Sequence, residues 1–125
     1  MTLEQIKARL EMLGYNPGAQ DDALLDFIMK SVKSDIRVTL NIEEIPADIE
    51  HIVIDKVVGE FLLNRKSMGQ DVGIDLDAAV KAISEGDTNV QFDTNSTPES
   101  KLDTLIRYMI EGRDAVMMAY RSIRW

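Results

Sequence analysis

A chain of 125 residues with 45% hydrophobic side chains can build one modest core, and a domain this small leaves apolar surface for a partner to cover. Its 22 acidic residues against 14 basic ones give a net charge of −8, which excludes gripping nucleic acid through the bulk surface, since phosphate binding requires a basic face. With no cysteine, disulfides and thiolate metal sites are excluded, and a single histidine excludes His-cluster metal centres and weighs against His-dependent catalysis.

The first residues, Met1-Thr-Leu-Glu-Gln-Ile-Lys7, are charged where a signal peptide would be apolar. No apolar run approaches the ~20 residues of a membrane span, so the expectation is a soluble intracellular protein, or one assembled inside a cell. Thr2-Leu-Glu-Gln5 is a capping-box pattern, and Leu3, Ile6, Leu10 and Leu13 then share one face, predicting a helix over 2–13 that Gly14 ends. Tyr15-Asn-Pro-Gly18 reads as a turn. Asp21 or Asp22 caps a second helix over 21–41, in which Leu25, Ile28, Val32, Ile36 and Leu40 recur at three and four. The short link Ile42-Glu-Glu-Ile45 makes its successor a close, roughly antiparallel neighbour.

That successor, over 46–68, is the expected centre of the fold. Pro46 suits a first helical turn and Gly69 a stop. Ile49, Val53, Val57 and Phe61 form one row, with Ile54, Val58 and Leu62 beside it, so the helix should be packed on more than one side. Gly59 sits inside the helix at a cost of about 1 kcal/mol relative to alanine, which points to close approach of another helix or to a subunit contact. His51 and Asp55, and Lys56 and Glu60, are four apart and read as solvated helix-face pairs. A His51–Asp55 dyad finds no nucleophile or oxyanion site nearby.

After loop residues 70–73, Val80–Ser84 and Thr88–Phe92 flank Glu85-Gly86-Asp87. Thr88, Val90 and Phe92 alternate with polar residues, predicting a β-hairpin over about 80–92, although Ala78 to Ile83 also fits a helix. An isolated hairpin is marginal in water and needs support from its own helices or a neighbouring subunit. Thr97-Pro98-Glu99 then opens a last helix over 98–120, with Leu102, Leu105, Ile106, Met109 and Ile110 on its apolar face and Gly112 as a kink or stop. From Arg113 onward the chain is net +2, against −8 for the whole. The fold expected is one mainly α domain over 1–125: a small helical bundle around a long central helix, with a short β-hairpin before the last helix. The residues offer no phosphate-binding loop, Asp71, Asp75 and Asp77 lack the rest of a calcium loop, and Met117 and Met118 read as filler. The expectation is a binding or structural protein, not an enzyme, with no metal and no cofactor.

The order of these pieces says more. A Leu-rich helix pair ends near Asn41, Ile45-Pro46 opens a long helix ending in Asn64-Arg65-Lys66, Ile83-Ser-Glu-Gly-Asp-Thr-Asn-Val-Gln-Phe92 follows, Pro98-Glu99 opens the last helix, and Tyr120-Arg-Ser-Ile-Arg-Trp125 closes the chain. This order resembles the head–tail connector (head-completion or adaptor) proteins of long-tailed bacteriophages and related prophages, across nearly the whole chain. The Glu-Gly-Asp-Thr-x-Val-x-Phe stretch and the Arg-x-Ile-Arg-Trp end are its most specific parts. The segment from Gln70 to Ala79 is longer than in many relatives, and Gly112 interrupts the last helix.

The resemblance implies a ring of about a dozen copies beneath the portal protein, lining the channel through which genomic DNA passes without sequence-specific binding, and offering a platform to the next neck or tail protein. It implies no membrane partner and a place in the virion at the head–tail junction, after assembly in the host cytoplasm. It makes Tyr120, Arg121, Ile123, Arg124 and Trp125 candidates for portal docking. Glu85, Gly86, Asp87, Thr88, Val90 and Phe92 become candidates for subunit or channel contact. Ile49, Val53, Val57, Gly59 and Phe61 are the central-helix packing set. Other readings are a different neck, tail-completion or DNA-packaging component, or a small intracellular helical adaptor.

Overall fold

The computed structural model describes residues 1–69, 73–86 and 97–121. Among these residues six α-helices follow one another: α1 (Leu3–Met12), α2 (Asp22–Leu40), α3 (Glu50–Ser67), α4 (Leu76–Gly86), α5 (Pro98–Glu111) and α6 (Asp114–Met118). One-turn 3-10 segments, Ala19–Asp21 and Ala47–Ile49, lead into α2 and α3.

Local chemistry sets most of the ends. Thr2 accepts from the Gln5 N–H while the Gln5 side chain accepts from the Thr2 N–H, closing a capping box on α1. α2 stops at Asn41, whose left-handed backbone (φ 55°, ψ 50°) satisfies the final carbonyls. Thr97 accepts from Ser100 N–H at 3.2 Å, and Pro98 fills the first turn of α5. Gly14 holds φ at +94°, and a Cβ there would lie 2.7 Å from the Asp75 nitrogen. The tight turn lets Asp75 N–H donate to Leu13 O at 2.9 Å, which ties the start of α4 to the end of α1.

α3 lies in the middle. It packs against α1, α2 and α5, and α4 packs on α5. Val57, Val58, Phe61 and Leu62 meet Ile6, Leu10, Leu25, Leu105, Met109 and others in the larger apolar cluster. Ile49, Ile52 and Val53 form a second cluster with Ile36, Leu40 and Met117. The packing set named from the sequence therefore divides between two clusters of the chain's own core, and Ile49, Val53, Val57 and Phe61 are all essentially inaccessible. Tyr15 stands edge-on to Phe61 (5.4 Å, 73°) and donates its hydroxyl to Asp21 at 2.8 Å. Burial and then that carboxylate push the Tyr15 pKa above its ordinary value.

Gly59 is where α5 crosses α3. A Cβ there would stand 2.8 Å from Ile110 Cγ1, 3.1 Å from Met109 Cβ and 3.3 Å from the Ile110 nitrogen. Alanine would gain about 1 kcal/mol in helix propensity, but crowding a packed crossing costs about 1–3 kcal/mol. Gly59→Ala should lower stability in urea melts. Were the glycine kept for a subunit contact, the isolated protomer would become more stable.

Two expectations need correction. The β-hairpin over 80–92 is not seen: among the described residues there is no strand, and the expected first arm is helical through Gly86. Leu76, Ala79, Val80 and Ile83 fall at helical spacing, Ala79 and Ile83 are buried, and the Asp75 carboxylate accepts from Ala78 N–H. Three alanines in this stretch add helix propensity that the strand reading of Val80–Ser84 underweighted. Asp87, Thr88, Val90 and Phe92 lie outside the described residues, while Glu85 sits exposed near the end of α4. The second correction is that the last helix does not run to 120. It breaks at Gly112-Arg113, where Arg113 leaves helical geometry (φ −120°, ψ 24°).

Candidate functional site

The break between α5 and α6 is built around two side chains of the central helix. Asp55 is buried, 5% exposed, in the row Ile52–Asp55–Gly59–Leu62. Arg9 Nε donates to its Oδ1 at 2.8 Å from α1, and Arg113 Nη2 donates to its Oδ2 from the α5–α6 corner. One carboxylate thus joins three parts of the chain, with two charge-assisted bonds in place of its lost hydration. The Arg113 guanidinium also stands 5.2 Å from the centre of the Tyr108 ring. One turn along, Lys56 Nζ donates to Ile110 O, near the end of α5, and to Asp114 Oδ1, at the start of α6. A cation at one helix's C-terminal end and an acid at the next one's N-terminal end both suit the helix dipoles.

These contacts fix α6, and α6 fixes where the chain leaves the body. Met117 is buried in the second cluster, Tyr120 packs half-buried against it, and Arg121 is exposed. Of the docking candidates, Tyr120 and Arg121 are thereby placed at the end of α6, whereas Ile123, Arg124 and Trp125 lie outside the described residues.

Two adjoining grooves run along the seam between α2 and α3. The first, about 330 Å³, has an apolar floor including Val32, Ile36, Leu40, Ile110 and Met117, with Met118 on its wall. The second, about 420 Å³, continues toward Phe27, Leu63 and Ser67. Val32, Asp35 and Glu60 border both. Neither acid has an ion-pair partner among the described residues, while the other charged residues of the seam, Lys56 and Asp114, bind each other. Phe27 (70% exposed), Leu63 and Met118 present large apolar surface at the same seam. The combination is an apolar trough with uncompensated negative charge at its waist.

Sequence reasoning did not find this geometry. It paired Asp55 with His51 and Lys56 with Glu60. His51 is instead exposed, Asp55 turns inward to the two arginines, and Lys56 turns to Asp114. One signal for Asp55 was present in the chain: an acid in an otherwise apolar helical row is buried only with a partner. Among the described residues no group of three or more His, Cys, Asp or Glu side chains could hold a metal ion, and no helix is long and apolar enough to cross a membrane. Comparison with known protein families, with curated proteins and with solved structures found no match to this chain.

Proposed function

We propose that the chain is a structural subunit of the head–tail junction of a long-tailed bacteriophage, one copy in a ring between portal and tail. Copies related by rotation make head-to-tail contacts, so two different faces must be complementary. The ring completes the DNA-filled head, surrounds the channel, and carries the next neck or tail protein. Its location is the virion, after assembly in the host cytoplasm.

The reading rests on the ordered sequence resemblance, above all the Arg-x-Ile-Arg-Trp end. The observation that supports it most is the anchoring of α6 through Arg113–Asp55 and Lys56–Asp114, so that a basic, aromatic terminal segment leaves a braced point beside exposed Arg121. Arginine and tryptophan are frequent anchors of protein interfaces. The acidic bulk suits a channel wall, because a surface of net −8 per copy repels a polyanion and lets it slide. The hairpin contact that the resemblance implied forms no part of this proposal.

Removing residues 122–125, which spares the packed Tyr120, should leave a folded protein that no longer joins portal-bearing heads. Normal head completion by the shortened chain would rule out docking through the tail. A second reading, a small helical adaptor, draws on the exposed apolar seam between α2 and α3. It expects a monomer or dimer with no affinity for a portal.

A further inference from the structure

We propose that the α2–α3 seam is a docking groove for a basic amphipathic helix of a partner protein, with one apolar anchor in each half of the seam and a lysine or arginine between them facing Asp35 and Glu60. The seam has the shape for it. α2 forms one wall from Phe27 to Leu40, and α3 forms the other from Lys56 to Ser67. At about 1.5 Å per residue the α2 wall runs roughly 20 Å, the length of a helix of about 13 residues. Helices that dock this way lay one apolar face into the groove, with anchors at i, i+3, i+4 and i+7. The two halves meet α2 over 27–35 and 32–40, so their middles lie near Ser31 and Ile36. On a helix laid along the seam, apolar residues at i and i+7, about 10.5 Å apart, fall one in each half, and i+3 and i+4 fall at the waist. Exposed Phe27 and Leu63 receive one anchor, and Met118, with its adaptable side chain, receives the other.

Charge decides what kind of helix fits. Asp35 and Glu60 border both halves and have no ion-pair partner among the described residues, while Lys56 and Asp114 bind each other, so the two acids are the net charge of the groove. A neutral or acidic helix would cover these carboxylates without compensation, at a cost in lost hydration. A cation at the waist pairs with both, and arginine suits the place because its planar head is weakly hydrated. The net charge of −8 draws a cationic partner in from a distance and repels nucleic acid. A second copy is a poorer match. The cations of its α2 are already compensated, since Lys30 pairs with Asp26, and Lys33 and Arg37 share a pocket with Glu43 and Glu44.

The probe is a synthetic helical peptide, stapled and fluorescein-labelled, with leucine at i and i+7 and arginine at i+3 and i+4. Titrated with the full-length protein, its fluorescence anisotropy should rise and saturate. A peptide with glutamate in place of the two arginines should bind at least about tenfold more weakly. Asp35→Lys with Glu60→Lys should reverse that preference, and Phe27→Ser with Leu63→Ser should weaken both peptides. All four positions are exposed or half-buried, so helix content by circular dichroism should stay constant. Glu4→Lys with Glu11→Lys makes the same change of net charge on α1, which lines neither half, and should alter binding less than about threefold. Absence of saturable binding would overturn the proposal. So would equal binding of the two peptides, or an equal loss in the α1 variant, which would reduce the effect to bulk charge. So would self-association of the full-length protein, seen by sedimentation, that Asp35→Lys with Glu60→Lys abolishes, since a second copy would then be the occupant. No portal enters these measurements, so the proposal can fail while the connector reading stands, and the reverse.

Discussion

Replacing Asp55 by alanine should destabilise the protein by about 3–5 kcal/mol, the range seen when one partner of a buried ion pair is deleted. Asp55 is 7% exposed at its side chain, with Arg9 and Arg113 at 22% and 18%. Its removal would leave two largely buried guanidinium groups facing each other with no counter-charge. Most domains of this size are stable by only about 5–15 kcal/mol, so the loss is a large share of the total. In urea titrations the midpoint should fall with little change in slope. An isosteric apolar replacement of all three groups should behave differently. Asp55→Leu with Arg9→Met and Arg113→Met removes the charges together and should recover most of the loss. An unfolding free energy within ~0.5 kcal/mol of wild type for Asp55→Ala would mean that water screens the cluster.

Val57→Asp should be at least as damaging. Val57 is fully buried in the larger cluster, with no polar group assigned to it there, so the new carboxylate loses hydration and gains no partner. The expected cost is on the order of 3–5 kcal/mol, and partial unfolding at ordinary temperature follows if the wild type lies near the low end, about 5 kcal/mol, of the usual range. Val57→Ala separates the charge from the cavity, since trimming a buried aliphatic side chain typically costs about 1–3 kcal/mol. A thermal melt of Val57→Asp that overlays the wild type would show that α3 is not the centre of the core.

The helices were legible because their signals are local. Thr2 with Gln5, Asn41, and Thr97 with Pro98 act within one turn of the residues they cap. The apolar rows of α2 and α3 repeat often enough to fix which face turns inward. The stretch from Val80 to Ser84 was less decisive. Five residues cannot separate a strand from a helix by period, and the Glu-Gly-Asp that follows suggested a turn. The helix forms because Leu76, Ala79 and Ile83 find the body of the protein, which a short window does not contain.

The ion-pair cluster and the seam were less legible still. Arg9 lies 46 residues from Asp55 and Arg113 lies 58 away, so each pairing exists only after the helices have packed. The i,i+4 rule proposed nearer partners, but burial outweighs it. Such a pair contributes about 0.2–0.5 kcal/mol on an exposed helix, whereas an unpaired buried carboxylate costs several. Asp35 and Glu60 come together only through the antiparallel register of α2 and α3. Neither looks unusual in the chain, where most acids are simply solvated.

A single mechanical idea links these residues. Asp55 and Lys56 brace the α5–α6 corner from the central helix, and the corner sets where the terminal segment departs. The sites proposed for assembly then lie at the edge of a rigid helical body. Loss of the brace should weaken assembly even in variants that remain folded.

The most direct test of that account is electron microscopy of the full-length protein mixed with the portal protein of the genome that encodes it. The account predicts a ring of this chain stacked coaxially on the portal, absent when residues 122–125 are removed. Bare portal rings beside free monomers or dimers, at concentrations where both proteins are folded, would contradict it.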